Sequence, residues 1–314
     1  MTATATAGRS VPPSNRPLNP RRVGVLMFHT FTQLVRMKVF YFMGFFAVIL
    51  LASNLFNLQS FGQPDMEGMD VLRTIRSWSL GAMTLFSTVL AIVATALLLP
   101  KDVEDRTLYT ILAKPVPRLD YLTGKLLGVL LLLFSSLFLM DLLMSGVLAL
   151  RMHDVVNSQL AAAAKANWPA DQIAAMRVQT EAQGVTWSLH GAVFAVFLRS
   201  AVMASAALLI STFSTSTLFT TIIGFLLYFI GNFQADARHA ALGGTGEGTG
   251  PLAKAAGLGI AVIFPDFQLF NVIDSVIEGA AFPLSSLGML TGVTAFYVIL
   301  HLFVSWLVFS GKEF

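Results

Sequence analysis

Apolar residues fall into six runs divided by polar stretches, at about 39–56, 78–99, 126–150, 191–213, 217–232 and 287–310. Most reach the ~20 residues that a helix needs to cross the hydrocarbon core, so the pattern predicts six membrane spans. The fifth is short and follows the fourth across a tight turn at Ser214, Thr215 and Ser216. Ahead of the first run, residues 22–38 place Met27, Phe28, Phe31, Leu34 and Val35 on one helical face. His29, Thr30, Thr32, Gln33 and Arg36 occupy the other. That spacing predicts an amphipathic helix in the membrane interface, the alternative being a plain extension of the first span. Between the fifth and last runs, 257–264 is apolar but too short to cross, and Pro265 ends it. With 266–283 it predicts a re-entrant or interfacial helical pair. The expected fold class is all-α, a polytopic membrane protein.

The remaining segments are connections. Residues 1–20 are polar and proline-rich, and are read as a disordered cytoplasmic tail, leaving 21–314 as one transmembrane domain. The tail has no apolar core, and the first hydrophobic run is long, so an uncleaved span is expected rather than a signal peptide. Residues 152–190 are alanine-rich with helical spacing, and Asn167-Trp168-Pro169 marks a helix start. The run GGTGEGTGP within 232–251 is flexible punctuation.

Composition agrees with this pattern. Hydrophobic residues make up 55% of the chain and charged residues 12%, where a soluble domain has about 25% charged. The spans leave no room for a separate soluble catalytic domain. Zero cysteines exclude disulfides, thiolate metal sites and a cysteine nucleophile. A net charge of +3 is too small to suggest nucleic acid. The five histidines lack metal-ligand spacing, and Met140 and Met144, one turn apart, are read as packing rather than soft-metal ligands. No nucleophile–base pair falls at membrane depth, so neither a catalytic nor a metal site is expected.

The distribution of basic residues is more informative. With both termini cytoplasmic, twelve lysines and arginines lie inside and seven outside, the inner ones crowded at span ends. The positive-inside rule therefore predicts this orientation, in the inner (cytoplasmic) membrane. It puts residues 100–125 in the cytoplasm, where nine charges crowd into twenty-six residues between two very apolar runs. Such density cannot lie in lipid, so a compact polar element at the membrane surface is expected. Within it, 103–114 has helical spacing, with Val103, Leu108, Ile111 and Leu112 apolar, and Lys114-Pro115-Val116-Pro117 stops the helix. A solvated loop anchored by snorkelling lysines such as Lys101 and Lys125 is the plainer reading.

Two charges stand inside spans. Asp141 is sixteen residues beyond Lys125, ~24 Å along a helix, and Arg199 is eight beyond Gly191, ~12 Å. Each costs about 2.5–3.5 kcal/mol at a helix centre. Both fall in the outer half of the membrane, and they are expected to pair with each other or across a dimer. A substrate path or proton relay is the functional alternative.

The loop resembles a known family. Glu104, Thr107-Leu108-Tyr109-Thr110-Ile111-Leu112, Lys114-Pro115-Val116, Arg118, Tyr121 and Gly124-Lys125 are similar to the cytoplasmic loop of ABC-2 type transporter permeases, which reads E…T-L…L-L…P-V-S-R…G-K. The likeness is nearest to the branch described as multicopper-enzyme-maturation and sodium-efflux-type permeases. Pro265-Asp266-Phe267-Gln268-Leu269-Phe270-Asn271 and the ending Phe309-Ser310-Gly311-Lys312-Glu313-Phe314, like the family's F…R-E-F, fit it as well. The chain departs from the pattern at Arg106, where the family often has glycine, and at Pro117, where it has serine. The resemblance implies the permease subunit of an exporter, a homodimer or heterodimer whose loop helix docks on a separate ABC ATPase. Leu108, Ile111 and Leu112 would anchor it, and Glu104, Arg106, Lys114 and Arg118 would form the polar rim. ATP and Mg would sit on that partner, with no cofactor in this chain. Neither Gly124-Lys125 nor Gly311-Lys312 completes G-x-x-x-x-G-K-[ST], because Leu126 and Glu313 follow. Two other readings are an ion-gradient-driven transporter using Asp141 and a non-transporting membrane scaffold.

Overall fold

The computed structural model describes residues 18–36, 44–45, 47–48, 67–104, 116–214, 216–243 and 265–311. Among them every regular element is helical: α1 (Pro20–Val35), α2 (Glu67–Glu104), α3 (Arg118–Lys165), α4 (Ala170–Ala182), α5 (Trp187–Phe213), α6 (Thr217–Gly243), a 3-10 turn (Phe267–Phe270), α7 (Ile273–Ile277) and α8 (Leu284–Ser310). Five stretches are long and apolar enough to cross a membrane: Val71–Pro100, Arg118–Lys165, Ala170–Phe213, Thr217–Asp236 and Leu284–Ser310. The last five expected spans fall inside these stretches. The expected first span, 39–56, lies outside the described residues except at 44–45 and 47–48, as do the tail at 1–17 and the apolar run 257–264.

α5 is the centre. Its small residues, among them Ala201, Ala204, Ser205 and Ala207, are buried, and α2, α3, α6 and α8 all pack on it. Small side chains let neighbouring helix backbones come close, which is how membrane helices gain dispersion contact where lipid offers no hydrophobic drive. The most apolar window of α5 is 78% buried, against 22% for those of α6 and α8. Those two helices carry the outward apolar faces of the bundle, with Leu218, Phe229, Phe296 and Ile299 more than half exposed.

At 48 residues α3 is ~72 Å long, far beyond a hydrocarbon core of ~30 Å. Its last turns leave the apolar stretch after Leu150. Asn167, in the left-handed conformation at φ 52°, then turns the chain into α4. Asparagine tolerates that conformation better than most residues. The expected helix start at Asn167-Trp168-Pro169 is found there, with Pro169 as the N-cap of α4. The Thr180 hydroxyl donates to Gln159 Oε1 at 2.8 Å, holding α4 against α3. This "hairpin end" of the bundle is opposite the "loop end", where α2 stops and α3 begins.

Several boundaries differ from the sequence expectation. α2 runs through Pro100 to Glu104. α3 starts at Arg118 rather than near 126, so Arg118, Asp120 and Lys125 belong to a helix and not to a surface loop. α6 runs past Asn232, whose amide donates to Tyr228 O at 2.7 Å and so turns a polar residue into an internal helix partner. Of the helical pair expected before the last span, 257–264 lies outside the described residues, and 265–283 holds the 3-10 turn and the five-residue α7. Phe267, Phe270 and Val276 are buried there against the bundle.

α1 divides its apolar side. Val23, Thr30 and Leu34 are buried along α3, while Val25 and Phe28 are 70% and 61% exposed. Gly124 and Gly128, one turn apart on α3, make the approach possible. A β-carbon at Gly128 would stand 2.6 Å from Thr30 Cβ and 2.9 Å from the Met27 carbonyl oxygen. Asn19 caps α1 by accepting from the Arg21 amide at 3.0 Å. The amphipathic helix expected before the first span is present, and it is packed against the bundle.

Candidate functional site

The polar loop leaves α2 after Glu104 and re-enters at α3. Arg106, Thr107, Leu108, Ile111, Leu112, Lys114 and Pro115 lie outside the described residues, and of Glu104 only the backbone is described. The two roots of the loop are defined, and they form one buried polar cluster. Asp102, on the last turn of α2, is 4% exposed. Its Oδ2 accepts from the Tyr121 hydroxyl at 2.5 Å and lies 2.6 Å from Lys125 Nζ. Tyr121 and Lys125 sit at i and i+4 on α3, so one helical face presents a hydroxyl and an ammonium to the same carboxylate oxygen. The Lys125 ammonium also lies 5.7 Å from the centre of the Tyr121 ring.

Two further contacts extend this cluster. Asp120, 1% exposed, takes the Arg22 guanidinium of α1, with Nε 2.8 Å from Oδ2. Arg118 Nη1 donates to the carbonyls of Phe309 and Ser310, both at 2.6 Å, at the end of α8. The Phe309 ring stacks on Tyr121 with centroids 5.9 Å apart, and Arg118 lies over it at 5.8 Å. Four helices, α1, α2, α3 and α8, thus meet at the roots of one loop. Charges buried in this way stay folded only if each has close partners, because taking an ion out of water costs several kcal/mol. The geometry makes the loop ends rigid relative to the spans.

Of the loop residues singled out from sequence, Arg118, Gly124 and Lys125 are placed by this structure, and each has a packing role. Gly124 sits beneath Leu26 of α1. Lys125 is 2% exposed and does not snorkel to the surface, because Asp102 offers it a nearer partner than water. Asp102, Asp120 and Arg22 were read from sequence only as charges, and Tyr121 and Phe309 only as parts of the family motifs; none of the five was expected as a buried partner. Asp102 and Lys125 carry a legible signal: opposite charges on either side of a proline-stopped loop, each within a turn or two of a span.

The hairpin end corrects the expected pairing of Asp141 with Arg199 within the chain. Asp141 Oδ2 lies 2.8 Å from His190 Nδ1, on the first turn of α5. Arg199 donates from Nη2 to Asn232 Oδ1 at 2.5 Å, and its guanidinium lies 5.2 Å from the Tyr228 ring centre and 5.7 Å from that of Phe267. Aromatic faces stabilise a buried cation without a carboxylate. Arg76, 1% exposed, is held in a related way, donating to Gln183 Oε1 at 2.8 Å and to Val276 O at 2.6 Å. It joins α2 to the turn before α5 and to α7. The Asp141–His190 contact is partly exposed, at 16% and 37% for the two side chains. Asparagine keeps a hydrogen-bonding partner for the His190 ring, so Asp141→Asn is expected to cost about 1 kcal/mol in thermal stability of the purified protein. Arg199→Leu should cost more, since it empties a ring-lined site and leaves the Asn232 acceptor without its donor.

Among the described residues no group of three or more histidines, aspartates and glutamates could hold a metal ion. No curated protein matches the chain. A family model does, that of the ABC-2 family transporter protein, over residues 23–307. The match runs from the first turn of α1 to the last turns of α8 and takes in both roots of the polar loop. That match covers most of the chain, and the helices long and apolar enough to cross a membrane among the described residues agree with it: the chain belongs to the ABC-2 family of transporter proteins.

Proposed function

We propose that the chain is the permease subunit of an ATP-driven exporter and takes its work from a separate ABC ATPase bound through the cytoplasmic loop 100–125. The observation that carries this reading is the buried cluster at the loop's roots. A loop whose two ends are tied by the Asp102–Tyr121–Lys125 contacts moves α2 and α3 together when pushed. In this account Leu108, Ile111 and Leu112 anchor the loop in a groove of the ATPase, and Glu104, Arg106 and Lys114 form the rim. Arg118 and Lys125 act from behind, holding the loop to the spans. ATP and Mg are bound by the partner, and the permease works as a homodimer or heterodimer in the inner membrane with both termini cytoplasmic. The finer family assignment we favour is the multicopper-enzyme-maturation or sodium-efflux-type branch, on the loop residues Thr107-Leu108, Pro115-Val116 and Arg118.

The test is capture from native membranes. Affinity-tagged chain, solubilised in mild detergent, is expected to bring down a protein carrying a phosphate-binding loop and to hydrolyse ATP. Transport driven by an ion gradient through the Asp141–His190 pair predicts no such companion. A preparation without ATP-hydrolysing protein, from membranes where the chain is abundant, contradicts the exporter reading.

A further inference from the structure

The last span is held to the bundle in a lopsided way. Leu287, Leu290, Thr294, His301, Ser305 and Phe309 form the single buried stripe of α8, and the remainder of its surface is open or half-open. Midway along, His301 Nδ1 lies 2.9 Å from Ser205 Oγ of α5. At the loop end the grip passes to α3. Phe309, 2% exposed, stacks on Tyr121, and Arg118 donates to the carbonyls of Phe309 and Ser310. Carbonyls at a helix C-terminus lack intrahelical donors and carry the negative end of the dipole, so a guanidinium is well matched to them. The last turn of α8 has no basic residue of its own. Its capping cation comes instead from another helix, at the first residue of α3, where the polar loop re-enters.

We propose that Arg118 is a positioning residue that couples the loop to the last span, so that displacement of the loop's roots carries the loop end of α8 with it. Tyr121 reinforces the link, since its hydroxyl holds Asp102 of α2 while its ring holds Phe309 of α8. The His301–Ser205 contact is the fixed point, and α8 tilts about it. The access path is then reshaped by three spans moving together, α2, α3 and α8, rather than by α2 and α3 alone. This inference rests on the ATP-driven reading above.

The chain has no cysteine, so paired spin labels report it directly. Phe213→Cys, at the exposed loop end of α5, serves as the reference. It is paired with Leu119→Cys on α3 in one sample and with Ser310→Cys on α8 in another. Labelled permease is diluted with unlabelled permease in the complex with its ATPase, and distances are compared before and after Mg-ATP with vanadate. Both distances are expected to change. In Arg118→Ala the Leu119 change persists while the Ser310 change falls to less than half. A Ser310 change that is undiminished in Arg118→Ala overturns the proposal, as does movement at Leu119 with none at Ser310 in the parent chain. If neither distance changes, the ATP-driven reading itself fails and takes this proposal with it. Should Arg118→Ala fail to assemble, Arg118→Met, which keeps an apolar stem and removes the donor to both carbonyls, takes its place. A reduced Ser310 response then supports the proposal and an undiminished one overturns it.

Discussion

Lys125→Met is expected to destabilise the protein by about 3–5 kcal/mol, the range found when one partner of a buried ion pair is removed. The substitution takes an ammonium away from 2.6 Å of a carboxylate that is 4% exposed. Methionine fills nearly the same volume, so the loss is electrostatic rather than a cavity. The measurement is the melting temperature of detergent-solubilised protein, with yield from the membrane as a cruder companion. Adding Asp102→Asn should recover most of the loss, because a neutral amide still accepts from the Tyr121 hydroxyl and needs no cation. Tyr121→Phe alone should cost about 1.5–3 kcal/mol, as for a hydrogen bond to a charged group. If Lys125→Met melts like the parent, the pair is not buried as described and the loop's roots are not rigid.

The second large effect concerns the seat of α1. At Gly128 an added methyl meets Thr30 Cβ at 2.6 Å and a backbone carbonyl at 2.9 Å, and a carbonyl of a packed helix cannot step aside. Gly128→Ala is expected to cost about 1–3 kcal/mol as overpacking, and Gly128→Leu more, by lifting α1 from α3. Gly146, on the same helix, has nothing within 4 Å of where its β-carbon would stand. Gly146→Ala should be neutral or stabilising by up to ~1 kcal/mol, because alanine is the better helix former. Opposite signs for one substitution at two glycines of a single helix, read as melting temperatures, separate close packing from helix propensity.

Most of the architecture was legible because a span is a strong signal. Runs of about twenty apolar residues survive any error in register, and α5 and α8 fall close to where hydropathy puts them. The boundaries at the loop end were less legible for a physical reason. Charge density marks a polar element, but it does not say whether water or other charges solvate it. Asp102, Asp120 and Lys125 look like surface residues in one dimension and are buried in three, because partners from α1, α2 and α3 converge on them. The same blindness affected Asp141 and Arg199. Helical rise gave them similar depths, but depth says nothing about azimuth, and each faces a different neighbour. His190 and Asn232 were invisible as partners, being an ordinary histidine at a helix start and an asparagine read as a helix end. Gly124 and Gly128 could have been found, since small residues one turn apart in a membrane helix are a packing signal in themselves. Gly124 was instead absorbed into the loop motif.

The claim on which the account turns is that the loop 100–125 delivers mechanical work from an ATPase to spans locked together at the loop's roots. The most direct measurement is capture of an ATP-hydrolysing protein by tagged chain carrying Leu108→Asp with Leu112→Asp, beside the parent chain. The variant leaves every residue of the buried cluster unchanged, so it is expected to reach the membrane in normal amounts and to melt normally. The account predicts that it brings down no ATPase where the parent does. An ATPase captured equally well by both would place the docking surface elsewhere and contradict it.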